Sequence, residues 1–201
     1  MKGERGALIT GFFAAATSGV AILLYAFGWI SLAGSLTFIA PLTVIVFAAL
    51  MVWARRARQD IFLTRLMGGL AAGGAGLLAY DFIRLGILYT DLVPFNPFRP
   101  IEVYGLWILD RQRDDWQTKT AGWIFHVWNG MGFAVMYTML AGPGRVLWGL
   151  GWAMMLESLM LATYPSMFKI ALAWPLISVS LIGHAAYGLA LGWVAQRSVR
   201  L

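Results

Sequence analysis

Cysteine is absent from the chain, so disulfides, thiolate nucleophiles, c-type haem attachment and cysteine-ligated clusters are all excluded. Charge is scarce too: 12% of the 201 residues are charged, against 60% that are hydrophobic. That balance, with a positive mean hydropathy, lies outside the range of a soluble globular domain. There are only two histidines and nine carboxylates. Acid–base or metal chemistry therefore has few residues to draw on. The chain has no His-Glu-x-x-His motif, the usual spacing of a helical zinc hydrolase site.

What is present is apolar sequence in long runs. Six stretches, at about 7–30, 35–54, 65–88, 120–141, 146–164 and 175–195, each approach the roughly 20 residues that a spanning helix needs. With mostly short connections, they predict one all-α membrane domain over 1–201, a six-transmembrane-helix bundle. The first run is too long for a signal-peptide core, and no cleavage pattern follows it.

The net charge of +6 does not form a nucleic-acid surface, because the bases divide by helix end. Lys2, Arg5, Arg55, Arg56, Arg58, Arg65, Arg145, Arg197 and Arg200 fall at one set of ends; Arg99, Arg111, Arg113, Lys119 and Lys169 fall at the other. Excess Lys and Arg marks the cytoplasmic side. Both termini are therefore expected in the cytoplasm, the 90–119 connection outside, and the protein in a bacterial inner membrane. The expected partners are the lipid bilayer and other membrane subunits, with no nucleic acid.

Several features concern packing. The third stretch carries a GxxxG spacing at Gly69 and Gly73 and the sixth another at Gly188 and Gly192, both suited to close helix approach. Pro41 interrupts the second stretch, and the Tyr164-Pro165 step is expected to end the fifth. In the long connection, Pro100 can open a short helix over 101–110 with Val103, Tyr104, Trp107 and Ile108 on one face. Such a helix suits an external interfacial anchor, or a lid over a polar site.

Four polar side chains stand out because each lies inside a different apolar stretch: Asp81, His126, Glu157 and His184. An ionisable group in hydrocarbon is costly, so it marks a functional site by default. At a rise of about 1.5 Å per residue they lie roughly 9–13 Å below the same end of the bundle, so a cluster is permitted. Plainer readings stand beside this one. Asp81 can pair with Arg84 three residues on, and either histidine can be a neutral ring bonded to a hydroxyl or carbonyl. Glu157 has no basic neighbour on its own helix and requires a proton, a cation or a metal. Three-and-four spacing puts His126, Asn129, Gly130, Phe133 and Tyr137 on one helical face, and Ser180, His184, Tyr187 and Gly188 on another.

Taken together, His126-Val-Trp-Asn129-Gly130, Trp148-Gly149, Glu157, Tyr164-Pro165, Ser180 and Gly183-His184-Ala-Ala-Tyr187-Gly188 resemble a group of uncharacterised bacterial six-helix membrane proteins. In that group a histidine opens the fourth helix and a His-x-x-Tyr-Gly motif lies in the sixth. The resemblance covers roughly the last 80 residues and implies architecture only.

Four functions fit these residues. The sharpest is a metal-dependent membrane enzyme holding one divalent ion, zinc or iron, on His126, Glu157 and His184. Asp81 and Glu157 would be its catalytic carboxylates, with Arg84, Asn129, Tyr137 and Tyr187 orienting ligands or substrate. The others are a non-catalytic accessory subunit, a proton-coupled transporter, and a haem b protein with the two histidines as axial ligands.

Overall fold

The computed structural model describes residues 2–170 and 173–199, and of Lys2 only the backbone. Arg200, counted above with the basic helix ends, lies outside the described residues. Among the described residues there are eight helices and no strand: α1 (Lys2–Ala15), α2 (Thr17–Ala26), α3 (Leu32–Arg56), α4 (Asp60–Tyr89), α5 (Arg99–Leu109), α6 (Trp116–Ala141), α7 (Val146–Phe168) and α8 (Trp174–Ser198). Helices α3, α4, α7 and α8 are long and apolar enough to cross a membrane, and a fifth crossing results if α1 and α2 count as one bent span. Helix α6 is as long as these but too polar to meet the same measure.

The first apolar stretch is two helices and not one, bent by 42° at Ala16. Thr17 supplies the cause. Its hydroxyl donates back to the Ala14 carbonyl at 2.7 Å and is shared with the Thr43 hydroxyl of α3 at 2.7 Å, a pattern that bends helices. Pro165 likewise does not end its helix, which runs on to Phe168. So near the end of a helix, losing a single backbone N–H is tolerated. The turn closes instead at Lys169, in the left-handed conformation.

Helices α4, α6, α7 and α8 make the centre of the bundle. They meet through glycine. A Cβ on Gly73 would lie 3.1 Å from the Met131 Cα of α6, and one on Gly188 would lie 2.8 Å from the Leu150 Cα of α7. The two GxxxG spacings thus serve two interfaces, α4 on α6 and α8 on α7. Ala72, Ala134, Tyr137, Ala153, Tyr187 and Leu191 fill the space among the four helices. Helices α1 and α3 close one side around Ala7, Ala54, Phe62 and Met139.

The short helix α5 does more than anchor at an interface. It lies against α6 backbone to backbone, where a Cβ on Gly105 would collide with the Thr118 carbonyl and one on Gly122 with the Ile101 carbonyl. Tyr104 is buried among Phe125, Phe168 and Trp107. That burial pushes the Tyr104 phenol pKa up, because ionisation would leave a phenolate without water. Asp110 stands outside the helix as its left-handed cap. Helix α5 therefore sits at the end of the bundle formed by the C-termini of α2, α4 and α7 and the N-termini of α3, α6 and α8.

Candidate functional site

At the α5 end the four central helices part around a cavity of about 650 Å³. Its walls come from α4 (Leu77, Tyr80, Arg84), α6 (Phe125, His126, Asn129, Phe133), α7 (Leu156, Met160, Tyr164) and α8 (Val179, His184, Tyr187), with α5 and residues 94–97 over them. The surface is mostly apolar and aromatic, and its few polar groups come from different helices. That is the usual make-up of a small-molecule site.

The four polar residues singled out by sequence arrive here as two pairs. Asp81 of α4 faces His126 of α6, whose Nε2 is 3.2 Å from both carboxylate oxygens. Glu157 of α7 faces His184 of α8, with Nδ1 2.9 Å from Oε2. The His184 N–H points along its own helix and donates to the Ser180 carbonyl at 3.0 Å. Neither oxygen of Glu157 therefore receives a well-directed hydrogen bond among the described residues, although the side chain is wholly buried. Asp81, by contrast, is 26% exposed.

Tyr80, which sequence reading passed over, joins the two pairs. Its ring centroid is 6.0 Å from that of His126 and 4.9 Å from that of His184. It also carries Arg84, whose guanidinium lies 4.9 Å from the Tyr80 ring and 4.8 Å from the Phe98 ring. The same guanidinium donates to the Pro97 carbonyl and stands 3.9 Å from Asp81. Arg84 thus orients Asp81 and straps the 94–97 segment to α4. The signal for Tyr80 was its place directly before Asp81 and four residues before Arg84, on one helical face with the latter.

The expected three-ligand metal set is not assembled. Among the described residues no group of three or more His, Asp or Glu side chains is arranged to hold a metal ion. His126 is engaged by Asp81 and His184 by Glu157, with the Tyr80 ring beside both imidazoles, so the donors come in twos.

The remaining candidates divide. Asn129 lines the cavity, and its Oδ1 is buried with no partner among the described residues. Tyr187 also lines it, and its hydroxyl donates to the Gly130 carbonyl at 2.6 Å, tying α8 to α6. Tyr137 is elsewhere: its hydroxyl donates to the Arg145 carbonyl at 3.3 Å, near the opposite end of the bundle. It shares a helical face with His126 but is eleven residues further along, a rise of roughly 16 Å.

Both imidazoles are held by one nitrogen. In each, the engaged nitrogen faces an acceptor and so carries the hydrogen: Nε2 of His126 toward Asp81, Nδ1 of His184 toward the Ser180 carbonyl. The opposite nitrogen of each ring makes no hydrogen bond among the described residues, as in a histidine oriented through one nitrogen and left open at the other. No family model, no curated protein and no solved structure matches the chain.

Proposed function

We propose that the protein is a membrane enzyme whose two histidine–carboxylate pairs perform acid–base chemistry on a membrane-soluble substrate held in the cavity. The observation that carries this reading is the placement of both histidines on the wall of one cavity, each backed by a carboxylate and both beside the Tyr80 ring. Within it, α6 and the bent α1–α2 pair join α3, α4, α7 and α8 as six crossings. The termini are cytoplasmic and the 90–119 segment is external, in a bacterial inner membrane, in keeping with the nine-to-five division of bases.

The roles follow from exposure. Asp81, less enclosed than Glu157 and beside Arg84, holds His126 as the pair that exchanges protons with the outer side. Glu157, sealed from water, stands 2.9 Å from the His184 ring and steadies it next to the substrate. Tyr187 fixes the distance between α6 and α8, and thereby the distance between the histidines.

The test compares lipid-soluble extracts of cells lacking the protein with those of cells carrying it. A compound class should accumulate without the protein. It should fall again on return of the parent chain but not of His126→Gln or His184→Gln at equal membrane abundance. If both variants restore the extract, the buried pairs serve helix packing and the protein is an accessory subunit. Metal analysis of the purified chain adds a second check: stoichiometric zinc or iron that is lost in Glu157→Gln would replace this reading by metal-assisted chemistry.

A further inference from the structure

We infer that residues 91–97 are a gate over the mouth of the cavity at the α5 end, and that Arg84 is the latch that holds it shut. The gate rests on the cavity being a ligand site, as proposed above, but it concerns access and not chemistry.

The lid that the sequence suggested, α5, is not the part free to move. Its backbone lies directly on α6 at Gly105 and Gly122, and Tyr104 is buried among aromatic rings, so lifting it would break a packed interface. The sides of the cavity are closed by packing as well. Helix α4 lies along α6 and α8, and α8 along α7, while Tyr104, Phe125 and Tyr164 cluster between α6 and α7. What is left is the end, where the lining is exposed at Pro94, Asn96, Ile170 and Pro175.

The segment at that end is joined to the bundle by very little. The Thr90 N–H donates to the Gly86 carbonyl and the Asn96 carbonyl accepts from the Arg99 N–H, but between them residues 91–95 make no hydrogen bond among the described residues. Backbone without such bonds opens at low free energy. Pro94 and Pro97 fix their own φ and stiffen the segment, so it swings as a unit and does not fray. Asp91, at its start, is in the left-handed conformation with φ 51°, which side chains seldom hold, and a single such residue after the end of α4 can serve as the pivot.

One polar side chain fastens the other end. Arg84 donates to the Pro97 carbonyl and lies 4.8 Å from the Phe98 ring, which rests in turn 5.7 Å from the Trp123 ring of α6. Its guanidinium is buried, and a buried cation is costly without partners. Two of those partners belong to α4 itself: Asp81 at 3.9 Å and the Tyr80 ring at 4.9 Å. They stay beside the cation when Pro97 leaves. Opening therefore does not strand a buried charge, and the latch can release and close again.

Labelling by a polar maleimide tests this on the full chain in lipid nanodiscs, since the chain has no cysteine of its own. Val179→Cys puts one thiol on the cavity wall, where the native side chain is 8% exposed, and Ser18→Cys puts one in the bundle outside the cavity, at 0%. Arg84→Met removes the latch donor. It should speed labelling of Val179→Cys about tenfold, because the rate follows the open population, and leave that of Ser18→Cys unchanged. Where Arg84→Met fails to fold by gel filtration, Phe98→Ala loosens the same end and should give a rise of about threefold. Unchanged labelling of Val179→Cys in the folded latch variants overturns the gate. So does labelling in the parent as fast as that of Thr120→Cys, an exposed position, since the mouth would then stand open. An equal rise at both thiols overturns the latch in favour of a general structural role for Arg84. None of these rates requires chemistry at the histidines. A negative lipid-extract comparison with the expected rates removes the enzyme and leaves the gate, whereas unchanged rates remove the gate and leave the enzyme.

Discussion

The two ends of the central helices are built on opposite plans. Toward the arginine-rich end, α4, α6, α7 and α8 touch through glycines, and neighbouring backbones come close enough that a Cβ on Gly188 would lie 2.7 Å from the Ala153 Cβ. Toward the α5 end the same helices are held apart by rings and buried polar pairs, leaving the cavity. In a bilayer the first plan is stabilised by dispersion between close-packed surfaces, since lipid provides no hydrophobic drive between helices. The second replaces some of that contact with polar groups that are costly unless paired. The difference separates the end that holds the bundle together from the end that leaves space for a ligand.

Substitutions can break this contrast directly. The largest effect is expected at the glycine seam. Gly188→Val should cost about 3 kcal/mol, because the new atoms meet backbone and cannot be moved aside by a side-chain rotation. Reversible unfolding in mixed micelles would measure it. Gly151 on α7 is the control, since nothing lies within 4 Å of a Cβ there. Gly151→Ala should be neutral or stabilise by about 0.5 kcal/mol. An equal loss at both sites would mean that close approach is not what the seam provides.

A smaller effect is expected at the sealed pair. His184→Ala leaves Glu157 buried without its neighbour and should cost about 2 kcal/mol. Adding Glu157→Leu should recover much of that, because removing both partners is less harmful than removing one. The double-mutant cycle by micelle unfolding checks the coupling, and additive losses would show that the two side chains do not interact. Asp81→Asn should cost less than about 1 kcal/mol, since the amide keeps an oxygen to accept from His126. The same substitution should instead slow exchange of the His126 ring protons, read by NMR. A stability loss at Asp81 as large as that at His184 would erase the distinction between an open and a sealed pair.

The smallest effect belongs to the start of α6, which carries the α5-end residues His126 and Asn129. Asp115 caps this helix by accepting from the Thr118 N–H at 2.8 Å, while the Thr118 hydroxyl accepts from the Asp115 N–H. That backbone hydrogen bond is the main reason its carboxyl pKa is held below the ordinary aspartate value. A depressed carboxylate pKa means stability that is present above the unfolded-state value and lost as pH falls through the folded one. Amide exchange in the first turn of α6 should therefore speed up in acid, and should be insensitive to acid in Asp115→Asn, which keeps the cap without the titration.

Much of the architecture was legible because hydrocarbon imposes a simple rule. Runs of apolar sequence predicted helices within a few residues of α3, α7 and α8, and the two glycine spacings do lie at close helix contacts. The break at Ala16 was not legible, since it depends on Thr17 meeting Thr43 of another helix. Nor was the continuation past Pro165, which the end-of-helix position tolerates. Within the site, the common depth of Asp81, His126, Glu157 and His184 followed from counting residues. Tyr137 shows the limit of matching faces alone: it shares an azimuth with His126 but not a depth.

The sequence by itself determined that the chain is an all-helical protein of the membrane with buried ionisable groups at one level, because burial cost and rise per residue are properties of a single helix. Which carboxylate meets which histidine was decided by tertiary structure alone, since pairing depends on the order and rotation of helices about one another. Placing α4 beside α6 and α7 beside α8 gave Asp81 to His126 and Glu157 to His184. It also put Tyr80 next to both rings, so that the residues form two histidine–carboxylate pairs and not one set of metal ligands.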